Sequence, residues 1–269
     1  MTNTHQSNQT DHITNSKNTA HELSDAELMR YSRQILLDGW DMEAQLRLKN
    51  SRVLIVGAGG LGCALSPVLV RAGVGLVHLL DFDVVDDSNL QRQMLYEPSD
   101  VGQDKARTAA SKLRQMNELV CVNHTSQKIT DDNVHALFDE IAPDLVVDCT
   151  DNFTIRDTLN AACRVRQLPL LSTSAIGEVG QMMLLTKETG CYRCVFGDTK
   201  GSEQNCATSG VLASTVALIG AAASQVALDF LGRGKNPIAG ELVLWQGMSV
   251  SLRKMRFNKD ENCAVCGGV

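Results

Sequence analysis

The stretch "SRVLIVGAGGLGCALS", residues 51–66, reads as a buried strand running into a phosphate-binding turn. The apolar run Val53-Leu54-Ile55-Val56 has the character of a strand covered on both faces. Gly57, Gly59 and Gly62 then complete G-x-G-x-x-G ahead of a helical pattern. Glycines allow the backbone to turn tightly and approach a phosphate, and unpaired N–H groups at a helix start favour negative charge. Asp81 closes the next apolar run, Leu76 to Leu80, about 20 residues beyond Gly62, where a ribose-binding acid belongs. These features serve NAD or ATP equally well.

The chain has 269 residues, 43% hydrophobic and 21% charged, enough for one sizeable α/β core. A net charge of −6 disfavours a nucleic-acid binder, which normally carries a basic patch. Residues 1–20 are rich in Asn, Thr, Gln and Ser, cannot offset the entropy of ordering, and are expected to form a disordered tail. They lack the charged start and apolar centre of a secretory signal, so a cytoplasmic location is expected. Val211 to Leu231 is long enough to span a membrane, but Gln225 and Asp229 argue for a buried helix and no membrane partner. Nine cysteines, an odd count in a reducing compartment, point to metal or catalysis rather than a disulfide framework.

Ser24 and Glu27 fit a capping box for a helix over Asp25 to Leu36, and a second helix is expected at Asp41 to Leu48. After the glycine turn the pattern predicts a helix over Ala64 to Ala72 and the strand ending at Asp81. It continues with a helix at Gln103 to Met116, a strand at Leu119 to Asn123, a helix near Asn133 to Phe138 and a strand at Asp144 to Asp148. Such alternation implies a doubly wound, mainly parallel sheet. Later, "GQMMLLT", "GELVLWQG" and "VSLRKMRF" resemble strands with no helix between the last two, so the sheet is expected to end antiparallel.

Further motifs bear on the nucleotide. Arg92 in "SNLQRQ" and Lys105 place two cations after the acidic strand end, where a triphosphate would lie, although both would also suit a solvated surface. "DCTDN", Asp148 to Asn152, follows an apolar strand, and its carboxylates suit Mg²⁺; Asp151 or Asn152 would equally serve as a helix cap. "CYRC" and "CAVC" pair Cys191 with Cys194 and Cys263 with Cys266, the thiolate set of a structural Zn²⁺ clip; chance pairs or a redox C-x-x-C are the other readings. Cys206 lies just before a long apolar helix, where a thiol becomes nucleophilic, or is merely a small loop residue.

In order, "RYSRQILL", "GAGGLG", "LLDFD", "SNLQRQ", "VGQDK", "DCTDN", "CYRC" and "CAVCGG" resemble the ThiF/MoeB family, bacterial relatives of ubiquitin-activating E1 enzymes. The resemblance covers residues 21–269 and implies a Rossmann-like adenylation domain acting as a homodimer on ATP. It implies N-terminal helices at 24–49, a nucleotide-binding core at 51–190, and a zinc clip and carrier-binding part at 191–269. The glycine turn with Gly60 at its centre and Asp81 would hold adenosine and ribose; Asn89, Arg92 and Lys105 would contact phosphates; Asp151 would serve Mg²⁺. Arg33 matches an arginine that reaches the neighbouring subunit's ATP site, and Cys206 a loop cysteine that joins the carrier covalently in some members.

The function so implied is adenylation of the C-terminal glycine carboxylate of a ubiquitin-like sulfur carrier, for thiamin or molybdopterin cofactor biosynthesis. "RYSRQILLDG" with "NCATSGV" leans towards the thiamin type. The chain stops at Val269 without a rhodanese-like extension, so a separate persulfide-donating sulfurtransferase or desulfurase is expected. Two other classes stay open on residues alone. An NAD(P)-dependent oxidoreductase would leave the Arg and Lys cluster idle, and a non-catalytic zinc-stapled scaffold would leave the ATP set idle.

Overall fold

Residues 20–197 and 210–267 are described in a computed structural model. Helix α1 (Asp25–Ile35) opens on the expected capping box: the Glu27 N–H donates to Ser24 Oγ at 3.3 Å and the Ser24 N–H to Glu27 Oε2 at 2.7 Å. Lys49 at the end of α2 (Met42–Lys49) pairs with the same Glu27 carboxylate at 2.7 Å, tying the two helices together.

The core alternates as strand and helix: β1 (Arg52–Val56), α3 (Gly60–Ala72), β2 (Leu76–Leu80), α4 (Lys105–Met116), β3 (Cys121–Thr125), α5 (Val134–Ile141) and β4 (Leu145–Asp148). It continues through α6 (Phe153–Val165), β5 (Leu170–Ile176), β6 (Val179–Leu185), α7 (Tyr192–Phe196), α8 (Ala213–Arg233), β7 (Glu241–Gln246) and β8 (Ser251–Arg256). Among the described residues the strands form one sheet in the order β3-β2-β1-β4-β5-β6-β7-β8. Pairing is parallel from β3 to β5 and antiparallel from β5 to β8. Every residue of β1 and β4 is buried, as central strands covered on both faces require.

Two apolar layers sandwich the sheet. On one face Leu65 and Leu69 of α3 meet Val216, Ile219 and Ala223 of α8. On the other, Leu137 and Phe138 of α5 pack with Ile155 and Leu159 of α6. Helix α8 is long and apolar enough to cross a membrane, and 56% of its most apolar window is buried within this chain.

The sequence reading differs from the fold in several places. Helix α3 begins at Gly60, four residues before the expected start, because the glycine turn itself is the helix entry. Strand β3 lies two residues later than expected, in register with Leu76–Leu80. Helix α6 and strand β5 were not expected at all, so the antiparallel part begins one strand earlier, at the β5–β6 hairpin. Buried Ser172 and Thr173 interrupt the apolar run of β5, and both reach back to Asp148. The expected tail lies almost wholly outside the described residues, and Cys206 lies outside them too.

Candidate active site

Strand order reverses between β1 and β4, and the crevice at their C-terminal ends is where ligands bind in such sheets. Gly57 has φ +99°, and a Cβ there would come within 2.8 Å of the Cys149 carbonyl oxygen, so only glycine lets the two strand exits touch. A Cβ on Gly62 would lie 2.1 Å from the Gly57 carbonyl oxygen. Gly62 therefore packs helix against turn and does not line the crevice. The N-cap of α3 is Gly59, which offers no side-chain cap, leaving the first-turn N–H groups open to an anion.

Asp81 follows β2 and is gripped by the turn: the Ala58 N–H donates to its Oδ2 at 2.6 Å and the Asp83 N–H to its Oδ1 at 2.8 Å. Burial raises its carboxyl above the ordinary value, against the pull of these two N–H groups and Lys105. Lys105 begins α4, and its nearly buried Nζ lies 3.2 Å from Asp83 Oδ2. Tyr96, which the sequence reading passed over, ties these pieces together. Its hydroxyl lies 2.7 Å from the Ala58 carbonyl oxygen and 3.2 Å from that of Lys105. Asn89 and Arg92 come from the polar segment between β2 and α4, and Arg92 Nη1 donates to the Ser88 carbonyl at 3.1 Å.

The exit of β4 separates two carboxylates of different kinds. Asp148 is fully buried; its Oδ2 lies 3.1 Å from Arg156 Nε, and its Oδ1 accepts from the Thr150 N–H and hydroxyl. Asn152, not Asp151, caps α6 by accepting the Ile155 N–H at 3.0 Å. Asp151 is exposed, with no hydrogen bond or ion pair among the described residues. One free carboxylate beside room for phosphates is the way proteins hold Mg²⁺, so this donor set fits that ion, whereas Asp148 is already committed. Arg156 was also missed by the sequence reading; a lone arginine inside a helical pattern gives no local signal of such a contact.

Together these groups surround a cavity of about 420 Å³, within the range of small-molecule sites. Gly57, Gly59 and Gly60 line it together with Asp81, Asn89, Arg92, Lys105 and Asp151. Ile129, Phe153 and Val216 supply apolar surface. Arg33 is not part of it: α1 buries Glu27 and Tyr31 and leaves Arg33 exposed to solvent.

A second constellation stands apart from the crevice. The Sγ atoms of Cys191, Cys194, Cys263 and Cys266 lie within 4.8 Å of one another, with separations of 3.9 Å for Cys191–Cys194, 3.6 Å for Cys191–Cys263 and 3.3 Å for Cys194–Cys266. A disulfide requires about 2.05 Å. Tetrahedral zinc with bonds of about 2.3 Å places sulfurs roughly 3.8 Å apart, so the set fits a closed four-thiolate metal site. Cys191, Cys263 and Cys266 are buried and Cys194 is half-buried.

A family model described as the ThiF family matches residues 31–265. The molybdopterin-synthase adenylyltransferase of Escherichia coli (strain K12) is 42% identical over 251 residues, covering 91% of this chain and 99% of the relative. The sulfur carrier protein ThiS adenylyltransferase of the same organism is 41% identical over 249 residues, covering 91% and 98%. In fold, the chain is similar to E. coli MccB crystallised with a succinimide, with a TM-score of 0.80 at 23% identity, covering 93% of this chain and 76% of that one.

Proposed function

Because the chain belongs to the ThiF family, we propose that it is an adenylyltransferase that activates the C-terminal glycine carboxylate of a ubiquitin-like sulfur carrier. The observation that carries this reading is the convergence of the glycine turn, Asp81, Asn89, Arg92, Lys105 and Asp151 on one cavity at the strand-order reversal. A hydride-transfer site would give the Arg92, Lys105 and Asp151 cluster no task.

ATP is the substrate whose phosphates the open N–H groups of α3, Arg92 and Lys105 would meet, with its ribose at Asp81. The carrier carboxylate attacks the α-phosphorus, the bond to the bridging oxygen breaks, and pyrophosphate leaves with the electron pair. No general base is needed, since a carboxylate is ionised at neutral pH. Catalysis then rests on positioning and on cations facing the charge that builds on the phosphates. Asp151 would hold Mg²⁺, which supplies further charge neutralisation when bound. The four cysteines would hold Zn²⁺ in a site with no open position, suited to structure rather than catalysis. A persulfide from a donor protein would attack the acyl-adenylate and expel AMP, leaving an acyl disulfide; a second thiol then cleaves its S–S bond, forming a disulfide with the donor and releasing the thiocarboxylate. Cys206 would take the carrier covalently in that later step, so Cys206→Ser should spare adenylation and slow sulfur transfer.

This reading includes a homodimer in which the neighbouring subunit's crevice is completed by Arg33. Arg33 lies outside its own crevice, with exposed Met29, Leu36, Leu37 and Met42 on the same helical pair, a surface suited to a second copy. Arg33→Ala and Asp151→Ala homodimers should each be inactive. In a mixed dimer one site carries both lesions and the other neither, so co-refolding should restore roughly a quarter of wild-type activity. No recovery would mean that Arg33 serves its own subunit. For the reaction itself, mass spectrometry of a carrier incubated with the protein and ATP should reveal an AMP adduct at its C-terminus. Absence of the adduct with both thiamin-type and molybdopterin-type carriers would refute the assignment.

A further inference from the structure

Crevice and cysteine clip are joined by one helix face. Arg156 and Asn160 stand one turn apart on α6, so both side chains leave the same side of the helix. Arg156 is 4% exposed and holds the crevice loop: its Nη2 donates to the Thr150 carbonyl at 2.6 Å and to the Thr173 carbonyl at 3.1 Å, while Nε faces Asp148 at 3.1 Å. Asn160 holds the clip, its Oδ1 accepting the Tyr192 N–H at 2.9 Å. Tyr192, between the first two cysteines, closes the circuit. Its ring lies 5.5 Å from the Arg156 guanidinium carbon, and its hydroxyl is 3.4 Å from Nη1. Tyr192 is 1% exposed, so it cannot shift without displacing its neighbours.

We propose that Arg156 is a positioning residue through which the cysteine clip sets the geometry of the Asp148–Asn152 loop, so that zinc at the clip tightens divalent-cation binding at Asp151. The inference rests on the reading of Asp151 as the magnesium ligand. With the clip closed, the chain either side of Tyr192 is pinned at Cys191 and Cys194. The ring then holds the guanidinium in the one orientation that serves Asp148, Thr150 and Thr173 together. An open clip frees Tyr192, and the loop carrying Asp151 loses its brace. Supports beyond the direct ligands typically change metal affinity by about 10- to 100-fold.

Arg156→Ala would leave the Asp148 charge buried alone and is a poor probe. Arg156→Lys keeps a cation beside Asp148 but loses the planar fork, and Tyr192→Leu keeps apolar bulk but loses ring and hydroxyl. Mn²⁺ binding in the presence of the non-cleavable α,β-methylene analogue of ATP is read by electron paramagnetic resonance, alongside zinc content and melting temperature. Both variants should keep one zinc per chain and bind Mn²⁺ about tenfold more weakly than wild type. Zinc-stripped wild type should weaken similarly, and stripping Tyr192→Leu should add little, because the connection is already cut. The variant results stand even if the stripped protein unfolds. Variants that melt earlier yet bind Mn²⁺ like wild type would overturn the inference alone. A wild-type protein that binds no Mn²⁺–nucleotide would overturn it together with the adenylation reading.

Discussion

The crevice and the clip are built from opposite principles. At the crevice, polar groups have no protein partners among the described residues: the Gly59 N-cap of α3 supplies no side-chain cap, and Asp151 stands exposed beside a cap supplied by Asn152. At the clip, four thiols converge in a largely buried cluster within 4.8 Å. A site that must take up and release ligand keeps its donors accessible. One that staples distant segments closes around its ion. The difference teaches that damage at the clip should appear first in stability, reaching the crevice only through the Arg156 connection as weaker cation binding, and damage at the crevice in rate without loss of stability.

Cys263→Ala tests the first half with the largest expected effect. It should lose zinc, cost on the order of 5 kcal/mol of stability, less than the about 10–16 kcal/mol of isolated finger peptides, and make unfolding insensitive to chelator. Denaturant melts with and without chelator check this, and a zinc-free protein of full stability would remove the structural role. Asp151→Ala tests the second half. Exchange of pyrophosphate into ATP should fall by about 10²- to 10³-fold while the melting temperature holds. A variant that unfolds instead would place Asp151 among the structural residues.

Acid separates the clip from the rest of the fold. Burial, with help from His124 and Arg52, lowers the His78 pKa from 6.5 to about 4. A histidine held neutral in the native state gives stability that is fully present above pH 6.5 and is lost as pH falls towards 4, because the unfolded chain takes the proton first. At about 1.36 kcal/mol per unit, roughly 3 kcal/mol is at stake. His78→Gln should flatten this slope in urea melts between pH 6.5 and 4, leaving acid release of zinc unchanged. An unaltered slope would show that other groups drive the acid sensitivity.

The smallest effect belongs to the helix that presents Arg33. Ser24→Ala removes one half of the capping box and should cost about 1 kcal/mol. In single-chain binding of ATP it should be silent, and in exchange by the dimer it should lower the rate, because α1 frays where Arg33 must be presented. Equal losses in both assays would place α1 at its own crevice.

The glycine turn and the cysteine pairs were legible because their chemistry is written locally, in G-x-G-x-x-G and two C-x-x-C spacings. Asp81 was legible from its distance to the turn. What was not legible acts across long stretches of chain. Tyr96 reaches back to Ala58, and Arg156 reaches forward to Thr173 and Tyr192. No local pattern announces such contacts. Helix α6 could have been read from the Asn152 cap and the apolar spacing of Ile155, Leu159 and Ala162. Strand β5 was hidden because its polar residues are buried to brace Asp148, the reverse of the alternation that marks a half-exposed strand.

Carrier-dependent exchange of labelled pyrophosphate into ATP reports the adenylation step most directly. Wild-type protein should catalyse it with Mg²⁺ only when a thiamin-type or molybdopterin-type carrier with a free C-terminal glycine is present, and the carrier giving the faster exchange identifies the pathway. Exchange that is equally fast without a carrier, or absent with both carriers although ATP binds, would contradict the adenylation of a sulfur carrier.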